Sequence, residues 1–182
     1  MTRAAVRFEE WTANLAGDLE ATFALTGDQR IATQGRRFLA GALGYALLQL
    51  DLIPDHEQAG SVDDAIVLRL AYGLAAEHAA GATVEDASRF ARMTNDEDEV
   101  RQFLGDTLFA KLRRFVLELT DKEVRGRTVD QVIAAGKPRD DMKRELDNAG
   151  KRIKKANAGS DAKAQEALEV SVKSWFTMKL GS

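Results

Sequence analysis

The chain has 182 residues, of which 45% are hydrophobic and 30% charged, and its net charge is −3. This length and composition predict one domain that can bury a core without disulfides or a structural metal. The absence of cysteine excludes disulfides, thiolate metal sites and thiol catalysis. The slightly negative charge argues against a surface that coats nucleic acid in general. With two prolines and many helix-forming residues, the sequence predicts an all-α fold, a compact bundle of about six to eight helices.

The first predicted helix runs from about Thr2 to Leu25, because Phe8, Trp11 and Leu15 recur at helical spacing. Asp28 is predicted to cap the helix that follows. The N-terminal residues contain no apolar run and no cleavage site typical of a secretory signal. We therefore expect a cytoplasmic protein.

The next stretch predicts a buried helical hairpin over residues 36–80, at the centre of the core. Its first helix is apolar on all sides from about Phe38 to Leu50, shorter than the roughly 20 residues that span a membrane. Pro54 ends that helix, and Ser61 is a suitable N-cap for the second. Two helices joined by so short a turn are expected to be antiparallel neighbours.

Tyr45, the string Asp51-Leu52-Ile53-Pro54-Asp55 and the pair Asp63-Asp64 occur together in this hairpin. In these residues the chain resembles the YkvA-like family, a bacterial helical domain of unknown function. The resemblance implies a helical fold and a bacterial source but no activity. Because relatives are often labelled membrane proteins, it also leaves peripheral membrane association as an alternative. Many relatives continue with an apolar residue and a second proline, where this chain has His56, Glu57 and Gln58.

The turn over residues 51–64 is the candidate metal site. Carboxylates suit Mg²⁺ and Ca²⁺, and Mn²⁺ also accepts an imidazole. The structural alternative is that Asp55 caps the turn, while Asp63 and Asp64 favour the start of the next helix through its dipole. No known catalytic motif is present, so an enzyme is not favoured. The candidate ligands are Asp51, Asp55, His56, Glu57, Asp63 and Asp64.

Beyond the hairpin, the sequence predicts a short helix from Thr83 and a long helix from Thr94 to about Leu119. Gly126 interrupts the pattern, and another short helix is expected over residues 128–135. These elements complete a predicted core domain, residues 1–136.

Residues 137–182 are predicted to form a C-terminal helical extension. Its first helix has a narrow apolar stripe, and residues 137–157 hold eight basic and four acidic side chains. The last helix starts at Ser160. Two arrangements remain open: both helices pack on the bundle, or they form a docking arm. The residues proposed to bind a partner are Met142, Leu146, Ile153, Trp175 and Phe176.

Together these patterns favour a non-catalytic interaction or assembly protein of the bacterial cytoplasm, with itself or another protein as partner. The first alternative is a metal-binding protein or divalent-metal-dependent enzyme that uses the turn over residues 51–64. The second is a peripheral membrane protein. Nucleic acid or an anionic membrane could bind residues 137–155, but a solvated charged helix is favoured. No cofactor is evident apart from the possible divalent cation.

Overall fold

The structure, a computed structural model, describes residues 3–48, 52–54, 60–78, 84–157 and 164–181. The all-α prediction is confirmed, because these ranges contain eight α-helices, a short 3₁₀ turn over Leu119–Asp121 and no extended strand. The helices are α1 (Arg3–Thr26), α2 (Thr33–Tyr45), α3 (Gly60–Ala76), α4 (Val84–Leu104), α5 (Asp106–Glu118), α6 (Val129–Ile133), α7 (Lys137–Asn157) and α8 (Ala164–Leu180).

The centre of the core is the antiparallel pair α2 and α3. Every residue of α3 from Val62 to Tyr72 is buried. This helix packs against α1, α2, α4 and α5, and so has neighbours on nearly every side. A helix without a polar face needs such surroundings, since any open side would leave apolar area in water.

The C-terminal helices pack on the bundle, which resolves the arrangement that the sequence left open. Helix α7 lies along α1 in the opposite direction: Arg139 contacts Phe23, and Gly150 lies beside Ala16. Helix α8 packs against α5 and α1. A domain boundary at residue 136 stays a prediction.

The predicted helix boundary at Thr94 is wrong, because Thr94 lies within the continuous helix α4. The chain breaks instead at Gly105, whose φ of +79° is a left-handed conformation that favours glycine. The capping prediction for Asp28 is also wrong. Ala32 occupies the N-cap position of α2 and makes no side-chain capping bond, while Asp28 binds Arg30.

Candidate functional site

The turn of the central hairpin is held by a polar clasp, which we define as Tyr45, Leu52, Ile53 and Asp63. The Tyr45 hydroxyl donates a hydrogen bond to Asp63 Oδ2 and accepts one from the Leu52 amide, with an N···O distance of 3.0 Å. The Ile53 amide donates to the same Asp63 oxygen at 3.0 Å. The clasp therefore joins the end of α2, the following turn and the first turn of α3.

Each member of the clasp is removed from solvent, and Tyr45, Ile53 and Asp63 have no exposed area. A buried amide or hydroxyl without a partner costs about 1–3 kcal/mol, so the side chain of Asp63 stabilises the turn through the donors that it satisfies. The structural alternative to the metal site predicted that Asp63 stabilises the start of α3 through the helix dipole. The structure shows direct hydrogen bonds to the preceding turn as well.

Four of the six candidate metal ligands, Asp51, Asp55, His56 and Glu57, lie outside the described residues. The other two, Asp63 and Asp64, are both buried at the start of α3. Within the described ranges, no three histidine, aspartate or glutamate side chains are grouped as a metal site requires. The metal site over residues 51–64 therefore stays a prediction.

A second polar cluster, farther along α3, joins three helices. Arg69 of α3 is fully buried, and its Nε donates to Asp96 of α4 at 3.0 Å. Asp18 of α1 lies 4.0 Å from Arg69 Nη2 and accepts a 2.7 Å hydrogen bond from Arg92 of α4. The Arg69 guanidinium also lies over the Trp11 ring, 4.4 Å from its centroid.

Burial lowers the pKa of the Arg69 guanidinium, and the nearby Asp96 and Asp18 oppose that shift. A buried charge is ordinarily paired in this way, because the desolvation penalty is several kcal/mol per ion. The partners come from α1 and α4, so the cluster sets how these helices lie against α3. We assign this cluster a structural role.

Sequence reasoning did not single out Arg69, although it gave a signal. One arginine in the apolar stretch Val62–Ala75 must either face solvent or find acidic partners inside the protein. Its partners Asp18 and Asp96 are distant in sequence and looked like surface residues.

The five residues proposed to bind a partner differ in exposure. Met142, Leu146 and Phe176 belong to the buried core, at 2%, 5% and 0% exposure. Ile153 and Trp175 are partly buried against it. The apolar stripes of α7 and α8 thus face the bundle, and a role of these five residues in binding a partner stays a prediction.

The outer face of α8 carries exposed apolar side chains. Val170 and Met178 are 72% and 58% exposed, the highest values among the large apolar side chains of the described chain. Ala167, Ser174 and Thr177 are exposed between and beside them at helical spacing. We call these five residues the α8 outer face. Lys173, three residues after Val170, is exposed at its edge.

The outer side of α7 differs, because it is cationic in its last turns. Lys151, Arg152 and Lys154 are exposed and form no ion pair with any residue in the described ranges. Earlier in the helix, Lys143 pairs with Asp147 and Arg144 with Asp141. Cations near a helix C-terminus also interact favourably with the helix dipole, so their position has a structural reason.

Comparison with known proteins gives a match to a family model. The model of a family described as a protein of unknown function (DUF1232) matches residues 36–70, which cover most of α2, the turn and the first part of α3. No curated protein and no solved structure matches the chain. As for the membrane alternative, none of the helices in the described ranges combines the length and apolar character needed to cross a bilayer. The central hairpin therefore matches a domain of unknown function, DUF1232, and its resemblance to the YkvA-like family is consistent with that match.

Proposed function

We propose that this chain is a non-catalytic assembly protein that associates with a second copy of itself through the α8 outer face. The observation that carries the proposal is the exposure of Val170 and Met178 side by side on the outer face of α8, with uncharged Ser174 and Thr177 beside them. Burial of such exposed apolar area favours association. A bacterial source and a cytoplasmic location stay predictions from the sequence.

Two properties of this face favour a second copy as partner. Because its five residues are uncharged and Lys173 lies at the edge, two such faces can meet at their centre across a two-fold axis without charge repulsion, where like surfaces meet. Its small side chains, Ala167, Ser174 and Thr177, also permit close approach of two helix backbones.

The test measures molar mass by light scattering over a wide range of protein concentration. We expect the wild type to move from monomer towards dimer as concentration rises, while the double variant Val170→Glu/Met178→Glu stays monomeric. Both positions are exposed, so the double variant should remain folded, which circular dichroism checks. Val6→Glu is the matched control, since Val6 is an exposed apolar residue on α1.

The dependence of association on ionic strength distinguishes the α8 outer face from the cationic end of α7 as the contact surface. Association through uncharged side chains should change little between low and high ionic strength, whereas association through Lys151, Arg152 and Lys154 should weaken. A wild type that stays monomeric at every concentration, or an equal mass for all three proteins, would overturn the proposal. Truncation at Gly136 is a poorer test, because it would remove Met142, Leu146 and Phe176 from the core.

A further inference from the structure

Arg36, near the start of α2, is a buried cation without an acidic partner among the residues that the structure describes. Arg36 is only 8% exposed. No carboxylate of the described residues lies within ion-pair distance of it. Its Nη2 donates to Thr33 Oγ1 at 3.2 Å, while its Nε is buried and has no hydrogen-bond partner in the described chain. Buried guanidinium groups are ordinarily paired, because an unpaired charge is costly to desolvate.

The guanidinium lies at a helix N-terminus that is itself without a cap. Helix α2 has 13 residues, and its N-cap residue Ala32 offers no side-chain acceptor. The amides of Thr33, Gln34 and Gly35 make no hydrogen bond within the described part of the chain. Side chains on a helix point towards its N-terminus, and the bond to Thr33 shows that Arg36 does so. Amide donors, helix dipole and guanidinium therefore favour negative charge at one place.

The acids near this turn are engaged elsewhere or fewer than the guanidinium groups. Asp28 interacts electrostatically with Arg36, but its carboxylate binds the Arg30 amide and guanidinium. Arg139 also interacts electrostatically with Arg36 and with Asp140, and its hydrogen bonds go to neutral oxygens. Arg30, Arg36 and Arg139 thus outnumber Asp28 and Asp140 around the first turn of α2.

We propose that the first turn of α2 binds a phosphoryl group, held by the free amides of Thr33, Gln34 and Gly35 and by the Arg36 guanidinium. A phosphoryl group suits the site because its several oxygens accept bonds from amides and from the planar guanidinium together. This site is separate from the α8 outer face and does not depend on self-association.

The experiment uses inorganic phosphate as the probe, on the full chain. Thermal melts compare phosphate with chloride at matched ionic strength, for wild type, Arg36→Met and Arg37→Met. We expect phosphate to raise the melting temperature of the wild type in a saturable manner, as a ligand of the native state does. Arg37→Met should keep that rise, because Arg37 lies near Asp121 and Asp130 and is not part of the site. Arg36→Met should lose it.

Phosphate also stabilises proteins by exclusion from their surfaces, and this general effect should be equal in all three proteins. An equal rise in wild type and Arg36→Met would therefore overturn the proposal. Titration of the wild type followed by ³¹P NMR is a measurement that needs no variant, and unchanged phosphate line widths and shifts would also overturn it. Glycerol phosphate and phosphatidylcholine vesicles that contain phosphatidic acid then distinguish a soluble phosphomonoester from a lipid headgroup.

Discussion

In α3, every residue from Val62 to Tyr72 is buried, whereas α7 alternates buried apolar side chains with exposed charged ones. The two helices are also held differently at their starts. Asp63 in the first turn of α3 accepts hydrogen bonds from residues that precede it closely in the chain. Arg139 in the first turn of α7 donates to Thr26 and to the Phe23 carbonyl, which lie more than 100 residues away.

This difference separates local from long-range determinants of structure. The hairpin turn is held by a clasp whose members all lie between residues 45 and 63, so a short motif can specify it. Helix α7 depends on the position of α1, since the Arg139 guanidinium donates to the Phe23 carbonyl and the Thr26 hydroxyl and lies over the Phe23 ring, 4.1 Å from its centroid. The narrow apolar stripe of α7 does not show from the sequence that α1 is the helix on which it packs.

The largest expected effect is at the clasp. Asp63→Ala leaves the Tyr45 hydroxyl and the Ile53 amide buried without this acceptor, and each such loss costs about 1–3 kcal/mol. We expect the free energy of unfolding to fall by about 4 kcal/mol, measured by denaturant unfolding. Asp98→Ala, at an exposed position on α4, should change it by less than about 0.5 kcal/mol. Similar small effects in both variants would contradict the role of the clasp.

Substitutions at the contact between α7 and α1 should lower the free energy of unfolding by a smaller amount. Their effects should also be non-additive, because the two residues touch. Arg139→Ala removes bonds to Thr26, Phe23 and Val132, and we expect a loss of about 2 kcal/mol because the site is partly exposed. A Cβ at Gly27 would lie 2.8 Å from Arg139 Nη2. Gly27→Ala should therefore cost about 1 kcal/mol in the wild type and almost nothing in Arg139→Ala.

Denaturant unfolding of the two single variants and the double variant gives this coupling directly. Lys143→Ala serves as the control, since Lys143 is an exposed cation on the same helix that pairs only within it. If the effects of Gly27→Ala and Arg139→Ala add, the two residues do not act through the contact seen here.

The smallest effect near neutral pH concerns Tyr72 of α3, whose hydroxyl lies 3.1 Å from Thr22 Oγ1 of α1. Burial raises the pKa of Tyr72 to about 12. In the unfolded chain a tyrosine ionises near pH 10, so above that pH the native state binds more protons and its stability falls. The wild type should therefore lose up to about 1.4 kcal/mol per pH unit between pH 10 and pH 12, relative to Tyr72→Phe.

The measurement is the difference in unfolding free energy between wild type and Tyr72→Phe from pH 8 to pH 11. Other groups, including the buried Tyr45, are present in both proteins and cancel in the difference. Near neutral pH the variant should be less stable by about 1 kcal/mol, the usual value of one hydrogen bond. A difference that stays constant through pH 11 would mean that Tyr72 is not held neutral by burial.

The sequence alone determined the all-α class, the central hairpin and most helix positions, because apolar spacing acts over a few residues. The expected caps at Asp28 and Thr94 were wrong, and α2 ends at Tyr45, well before Pro54. The sequence also drew attention to Asp63, through the motif in which the chain resembles the YkvA-like family. It misplaced the break between α4 and α5, since Gly105 is one of 14 glycines and composition does not mark its left-handed backbone.

Only the tertiary structure decided which charges are buried and where the last two helices lie. Arg69, Asp18 and Asp96 come from three helices, and Arg139 meets α1 from the other end of the chain. Such pairs depend on how helices pack in three dimensions. The spacing of the paired residues in the sequence does not predict that packing. The same holds for Arg36, which has no acidic partner in the described ranges, and for the exposed Val170 and Met178 of α8, because these features become visible only once burial and neighbours are known.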